Sequence, residues 1–319
     1  MPQPLVSIII PTRNGAETLK NVLPAIFNQN CSHPFEVIMV DSESSDGTPN
    51  LAREFNVRYL RIQKKDFNHG ATRQWAAEQT KGELVVFLTQ DATPANENWL
   101  SSLVTALEIE RNVVGAYSRQ VPYEGCHPLD AERILEWFGP IRRIQSLDGM
   151  DWERLTPMKR RTIANFDDVS SCVKKEILMQ FPYHSEPYGE DFEWARRVLR
   201  KGMSLVYEPS SVVYHSHRKS PLYEFRRRYI EHKMLRAYHD IQLIRNWKEV
   251  QAGIFHEWKQ NYQLVKKCPK TWFEKWTLFS ERVIVTVAQA LGMYLGAHSS
   301  QYEGPVTLNR FERWLIRSV

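Results

Sequence analysis

Asp91 stands where a carboxylate can do chemistry. It follows Leu84-Val-Val-Phe-Leu88, an unbroken apolar run of the kind buried on both faces of a parallel sheet, and the polar pair Thr89-Gln90, with Pro94 closing the segment. That puts Asp91 at the carboxyl end of a central strand, the edge where open α/β sheets collect ligands. A lone carboxylate there suits a divalent cation. A strand-end turn or a helix N-cap also selects Asp, and on spacing alone that structural role leads. Two further acids, Glu190 and Asp191, open a helix over 188–202 behind Gly189. There they either complement the helix dipole or aim one carboxylate into a cleft. His215 and His217 end a strand two positions apart, so they face the same side as metal donors or as ordinary hydrogen-bonding groups.

These groups need a scaffold, and the sequence outlines one. Strands are expected over Val6–Ile10, Phe35–Val40, Arg58–Ile62, Leu84–Leu88, Val113–Tyr117 and Ser204–Tyr214, the last broken at Pro209, with Phe166–Val173 as a further strand. Helices are expected over Ala16–Asn28, where Leu19, Val22, Leu23, Ile26 and Phe27 share a face, and over Ala71–Thr80, Trp99–Ile109 and Lys174–Met179. The alternation predicts an α/β fold, a mostly parallel central sheet with covering helices. Right-handed crossovers bring the loops after successive strands to one edge. Thr12, Asp41 and Asp91 lie in three such loops, an arrangement that favours a nucleotide or phosphate ligand there. The stretch 122–161 lacks periodicity apart from a short helix over Leu129–Phe138, and reads either as a cover for the site or as surface packing.

Composition narrows the class. The 319 residues are 42% hydrophobic and 25% charged, with a net charge of +5 and a pI near 8.9. This is ordinary for a globular chain, and suits an anionic ligand or membrane surface without singling out nucleic acid. Cys31, Cys126, Cys172 and Cys268 are scattered, with no C-x-x-C pair, so neither a zinc site nor a disulfide framework is expected and the setting is a reducing one. The N-terminus runs into a strand with no signal-peptide pattern, and no run reaches the ~20 apolar residues of a spanning helix. P-loop and dinucleotide fingerprints are absent. Beyond Ser220 the chain turns basic and Trp-rich around one mostly apolar stretch, Val283–Ala297. The expected division is therefore a domain over 1–220 and a helical region over 221–319 that binds acceptor, lies in a membrane interface or forms a dimer.

Four stretches now carry a resemblance. Ser7-Ile-Ile-Ile-Pro-Thr-Arg-Asn14, Val40-Asp-Ser-Glu-Ser-Ser-Asp-Gly-Thr48, Asn68-His-Gly-Ala-Thr-Arg73 with Gly82-Glu-Leu-Val-Val-Phe-Leu-Thr-Gln-Asp91, and Gly189-Glu-Asp191 resemble, in order, the motifs of the family 2 inverting glycosyltransferases. Details such as Phe67-Asn-His-Gly-Ala-Thr-Arg73 and Thr89-Gln-Asp-Ala-Thr-Pro94 are similar to its rhamnosyltransferase branch. One departure stands out: the family's D-x-D reads Thr89-Gln90-Asp91, keeping only its last acid.

The resemblance implies a GT-A, Rossmann-like fold and a nucleotide-sugar donor, dTDP-L-rhamnose or alternatively a UDP-sugar. The donor would be held by Pro11, Thr12, Arg13, Asn14, Asp41, Glu43, Gly70, Arg73, Gln90 and Asp91. Within that set Asp41 would accept from the base N3–H, and Arg73 would face the diphosphate. Mg²⁺ or Mn²⁺ would be bound by Asp91 with His215 or His217, and Asp191, or secondarily Glu190, would be the general base. The implied acceptor is a glycan or polyprenyl-diphosphate-linked glycan of bacterial surface polysaccharide. The enzyme would be cytoplasmic, at the inner face of the membrane if peripheral, with a homo-oligomer open and no nucleic-acid partner. A nucleotidyltransferase would be expected to have a glycine-rich loop in place of Pro11-Thr-Arg-Asn-Gly15, and a catalytically silent scaffold would not need Gly189-Glu-Asp191.

Overall fold

The computed structural model describes residues 6–217, 220–301 and 307–315. Nine strands form one sheet: β1 (Val6–Thr12), β2 (Phe35–Asp41), β3 (Arg58–Arg61), β4 (Leu84–Leu88), β5 (Thr93–Pro94), β6 (Val113–Val121), β7 (Arg143–Gln145), β8 (Ser170–Lys174) and β9 (Ser204–Tyr214). The order is β3-β2-β1-β4-β8-β6-β9-β5, with β7 also on β9. Strands β1, β2, β3, β4, β6 and β9 share one direction; β5, β7 and β8 oppose it.

The apolar runs read as they do because both faces of the sheet are covered. Ile8 and Ile10 join Val86 and Leu88 on one face, against Leu19, Leu23 and Ile26 of the helix Ala16–Phe27 and Leu100 and Leu103 of the helix Trp99–Ala106. Ile9 joins Val85 and Phe87 on the other, with Ala76 and Ala77 of the helix His69–Glu78 and Trp194 and Val198 of the helix Glu190–Arg200. Successive residues of one strand thus anchor opposite layers, each large apolar side chain contributing about 1.5–3 kcal/mol.

Two expectations of the alternation change. β8 runs antiparallel between β4 and β6, where the alternation predicts a parallel neighbour. Its Ser170 and Ser171 pair inside the sheet: Trp99 Nε1 donates to Ser170 Oγ at 2.8 Å and Ser171 Oγ donates to Asp168 at 2.6 Å. Pro209 does not end β9. The pairing with β6 jumps from Ser118–Glu208 to Arg119–Val212, so Pro209 sits in a bulge.

The chain divides into two compact units. One comprises Met1–Tyr123, Ile134–Leu155 and Thr162–Ser216, and carries the sheet; the other comprises Glu124–Arg133, Thr156–Arg161 and His217–Val319. The second unit is built on the helices Pro221–His239, Trp247–Lys267 and Trp272–His298. Gly296 lets two of them meet: a Cβ there would lie 2.1 Å from the carbonyl oxygen of Tyr229. The short helix Arg310–Leu315 is tied down by Glu312, which accepts from Tyr229 Oη at 2.7 Å and Lys233 Nζ at 2.5 Å.

The expected apolar stretch Val283–Ala297 lies within a longer helix. A capping box of Thr271 and Glu274 starts the helix Trp272–His298, which runs for 27 residues. By length and composition alone this helix is able to cross a membrane, which corrects the expectation that no segment reaches that length; 28% of its apolar window is buried.

Candidate active site

The loops after β1, β2 and β4 meet at the carboxyl edge of the parallel strands. Arg13 N–H donates to Gln90 Oε1 at 2.8 Å and Gln90 Nε2 donates back to Arg13 O at 3.2 Å, joining the first loop to the third. Asn14, in a left-handed conformation (φ 46°), donates its N–H to Ser44 Oγ at 2.8 Å and accepts from Ser45 N–H at 2.8 Å, joining the first to the second. Arg13, Asn14 and Glu43 are exposed on this rim, while Pro11 is half-buried in β1. Glu43 accepts from Lys64 N–H at 3.1 Å.

Thr12 and Asp41 turn inward instead. Thr12 is 2% exposed and donates to Ile10 O at 3.0 Å. Asp41 is 1% exposed and accepts from Ser44 N–H at 3.0 Å, from Ser44 Oγ and from Tyr59 Oη at 2.7 Å. It thus shapes the loop rather than lying open to a nucleobase. Burial, with the Asp41 hydrogen bond and charge behind it, pushes the Tyr59 phenol up to about 12.

Deeper in the same unit lies a cluster of acids around one cation. Asn68 caps the helix His69–Glu78 by accepting from Ala71 N–H at 2.9 Å. Gly70 allows that helix to approach the segment before the helix Glu190–Arg200, for a Cβ would stand 2.1 Å from His184 O. Arg73 is 4% exposed, so its guanidinium faces inward rather than toward an open diphosphate site. Its Nη1 donates to Glu190 Oε1 at 2.5 Å, and its Nε lies 3.8 Å from Asp168 Oδ2. Gly189, at φ 76°, turns the chain into the helix that Glu190 and Asp191 open.

Asp191 accepts from Asp168 N–H at 3.3 Å and from Phe192 N–H at 2.8 Å. Burial, then the neighbouring charges of Glu190, Asp168 and Asp167, holds its carboxyl well above the usual range. Asp168 is raised to about 6 by burial, against the pull of Arg73, and Asp167 to about 6 mainly by burial. Burial opposes the charge on Arg73, but Glu190 and Asp168 outweigh it and the guanidinium is held more firmly protonated than usual.

Asp91 is half-buried after β4, as the apolar run required. Its carbonyl oxygen accepts from Tyr123 Oη at 3.1 Å, and that hydroxyl also meets Thr93 Oγ1 at 2.6 Å. His215, the first residue after β9, brings Nε2 to 3.7 Å from Asp91 Oδ1. Its other nitrogen, Nδ1, lies 2.8 Å from Gln120 Oε1, and Gln120 Nε2 donates to Asp167 Oδ2 at 2.7 Å. His217 follows two residues along the chain. Thr89 Oγ1 is buried with no hydrogen-bond partner among the described residues. A carboxylate oxygen beside an imidazole nitrogen turned toward it is a donor set that fits a divalent cation.

The sequence reading missed Gln120, Tyr123, Asp167, Asp168 and Tyr183, whose hydroxyl donates to Asp168 Oδ1 at 3.1 Å. The adjacent acids Asp167-Asp168 before a strand were an available signal; Gln120 carried none.

Known proteins match this arrangement. A family model described as Glycosyl transferase family 2 covers residues 7–175, more than half of the chain. The O-antigen chain rhamnosyltransferase WbaN of Salmonella anatum is 28% identical over 296 residues, spanning 92% of this chain and 90% of the relative. RfbN of Salmonella typhimurium, likewise named an O-antigen chain rhamnosyltransferase, is 29% identical over 295 residues, with coverage of 92% and 90%. The solved mannosyltransferase PcManGT of Pyrobaculum calidifontis, in complex with GDP-Man and Mn²⁺, shares the fold at 19% identity and a TM-score of 0.53, covering 93% of this chain and 74% of that one.

The fold is of the GT-A type, and the chain is a nucleotide-sugar-dependent glycosyltransferase. The chain belongs to glycosyl transferase family 2.

Proposed function

We propose that the chain is an inverting rhamnosyltransferase that moves L-rhamnose from dTDP-L-rhamnose onto a glycan or polyprenyl-diphosphate-linked acceptor during bacterial O-antigen or related surface polysaccharide synthesis. The names of the two Salmonella relatives, matched along nearly their whole length, support the sugar and the pathway class. The observation that carries the mechanism is the division of labour between adjacent acids: Arg73 pairs with Glu190, while Asp191 accepts hydrogen bonds from the backbone N–H groups of Asp168 and Phe192 and has a raised carboxyl.

In this reading Asp191 is the base. The acceptor hydroxyl oxygen forms a bond to the anomeric carbon as the bond from that carbon to the diphosphate oxygen breaks, and Asp191 takes the hydroxyl proton. A base with a raised pKa is better matched to a hydroxyl proton than an ordinary carboxylate. Glu190 fixes the helix start through Arg73, and the rim residues Arg13, Asn14, Glu43 and Gln90 hold the nucleotide. Pro11, Thr12, Asp41 and Gly70 shape that rim from behind.

Asp91 and His215 are the proposed ligands of Mn²⁺ or Mg²⁺. Such an ion, when bound, neutralises charge on the departing diphosphate. The exposed aromatic start of the helix Trp272–His298 supports contact with the inner face of the cell membrane. The direct test is turnover of dTDP-L-rhamnose with a lipid-linked acceptor, reading the configuration of the new bond by NMR. An inverted product whose formation falls about 10²- to 10⁴-fold in Asp191→Asn is expected; a retained configuration, or full activity in that variant, would overturn the mechanism.

A further inference from the structure

We propose that Gln120 is a positioning residue that fixes His215 as its Nδ1–H tautomer and so presents Nε2 to a cation beside Asp91, with Asp167 as the anchor behind it. The inference rests on the proposed metal role of Asp91 and His215, and extends it to groups that touch neither donor nor ion.

One hydrogen-bonded chain joins these groups. Asp167 Oδ1 is held by Val169 N–H at 3.0 Å, and its Oδ2 accepts from Gln120 Nε2 at 2.7 Å. An amide has one donor end and one acceptor end. With its NH₂ group given to Asp167, Gln120 turns only its carbonyl oxygen toward His215, 2.8 Å from Nδ1. A carbonyl can only accept, so the imidazole proton must sit on Nδ1. Nε2 is then the nitrogen with the lone pair, and it is the nitrogen 3.7 Å from Asp91 Oδ1. A ligating histidine usually gives its other N–H to a carboxylate or carbonyl, which sets its tautomer and its ring plane. Here a glutamine relays a carboxylate to the ring.

Strand pairing sets the geometry. Gln120 is 6% exposed in β6, whose Gln120 pairs with Val213 of β9, two residues before His215, and His215 N–H donates to Val121 O at 2.9 Å. The chain also continues past Asp167: the next residue, Asp168, donates its N–H to Asp191 at 3.3 Å. The proposed cation ligand and the proposed base are therefore linked through Gln120 and one stretch of backbone.

The test uses the full chain labelled with ¹⁵N-histidine, free of metal, at pH 8.5, above the ordinary histidine range. His215 is assigned by comparison with His215→Gln. The expected spectrum of the wild type has His215 protonated on Nδ1, and Gln120→Met loses that preference. Titration with Mn²⁺ alone is expected to show about a 10- to 100-fold weaker affinity in Gln120→Met, with the melting temperature as a check on folding. An Nε2–H tautomer in the wild type overturns the role of Gln120, whether or not the variant folds. So does an unchanged Mn²⁺ affinity in Gln120→Met when Asp91→Asn has lost it. If Asp91→Asn keeps wild-type affinity, it is the metal reading that fails, and the tautomer result stands separately.

Discussion

Arg73 and Glu190, 117 positions apart in sequence, form an ion pair of 2.5 Å whose side chains are 5% and 7% exposed. This pair engages one of the two adjacent acids at the helix start; in the proposed mechanism the other, Asp191, takes the proton. It also makes the interior of the site fragile in a specific way. Removing one partner of a buried pair typically costs about 3–5 kcal/mol, because the other charge is left without compensation. Arg73→Met leaves Glu190 and Asp168 facing each other, so urea denaturation is expected to show a loss of that size; a loss under about 1 kcal/mol would mean the pair is not holding the cluster.

The raised carboxyl of Asp191 sets the direction of the pH–rate profile. A base must be ionised to accept a proton, so kcat/KM is expected to climb with pH along a limb above the ordinary carboxylate range of about 4. The limb should vanish in Asp191→Asn along with most of the rate. A wild-type profile flat from pH 5 upward would remove Asp191 from the role of base.

Asp167 gives a stability prediction of definite sign. Its pKa is about 6 in the fold, mainly through burial, against about 3.9 unfolded. The fold therefore binds the proton more tightly than the unfolded chain. That contribution is full below about pH 4 and is lost as pH rises through about 6. Relative to Asp167→Asn, the wild type should lose up to about 2–3 kcal/mol between pH 4 and pH 7.5. Denaturation curves at the two pH values check this, and a wild type that gains on the variant as pH rises would contradict it.

Two glycines in the C-terminal helices separate close packing from mere helix propensity. Gly296→Ala places a methyl group 2.1 Å from Tyr229 O and is expected to cost about 1–3 kcal/mol by forcing the backbones apart. Gly253→Ala, in the helix Trp247–Lys267, meets nothing within 4 Å and should stabilise by up to about 1 kcal/mol. Thermal melts of the two variants moving the same way would refute the distinction.

Trp272, Phe273 and Trp276 are 77%, 72% and 57% exposed, with Lys266, Lys267, Lys270 and Lys275 close by in sequence. Aromatic rings beside ammonium groups suit an anionic bilayer interface. Replacing the three aromatics by Ala is expected to abolish flotation with vesicles containing phosphatidylglycerol while leaving the melting temperature unchanged. Flotation equal to that of the wild type would rule out this surface as the membrane contact.

How much of this was legible in the sequence follows from the range of each interaction. β4 and β9 keep their expected bounds, and β1 and β2 nearly so, because apolar or alternating runs report burial directly. β8 was expected as a strand over Phe166–Val173 but begins only at Ser170, where Trp99 and Asp168 satisfy its hydroxyls, and β7 was not expected, since Arg143–Gln145 is three residues long in an aperiodic stretch. In the site, Asp91 and Asp191 were flagged by their places at a strand end and a helix start. The inward turn of Arg73 was not, since its partner lies in a distant helix. Nor was that of Asp41, which depends on Tyr59 in the next strand.

The most direct measurement is calorimetric titration of the full chain with dTDP, UDP and GDP, each with and without Mn²⁺, repeated on Asp91→Ala. dTDP is expected to bind tightest, Mn²⁺ to strengthen that binding, and Asp91→Ala to abolish the strengthening. Binding indifferent to Mn²⁺, or a preference for UDP or GDP, would contradict the metal-assisted transfer of rhamnose proposed for this site.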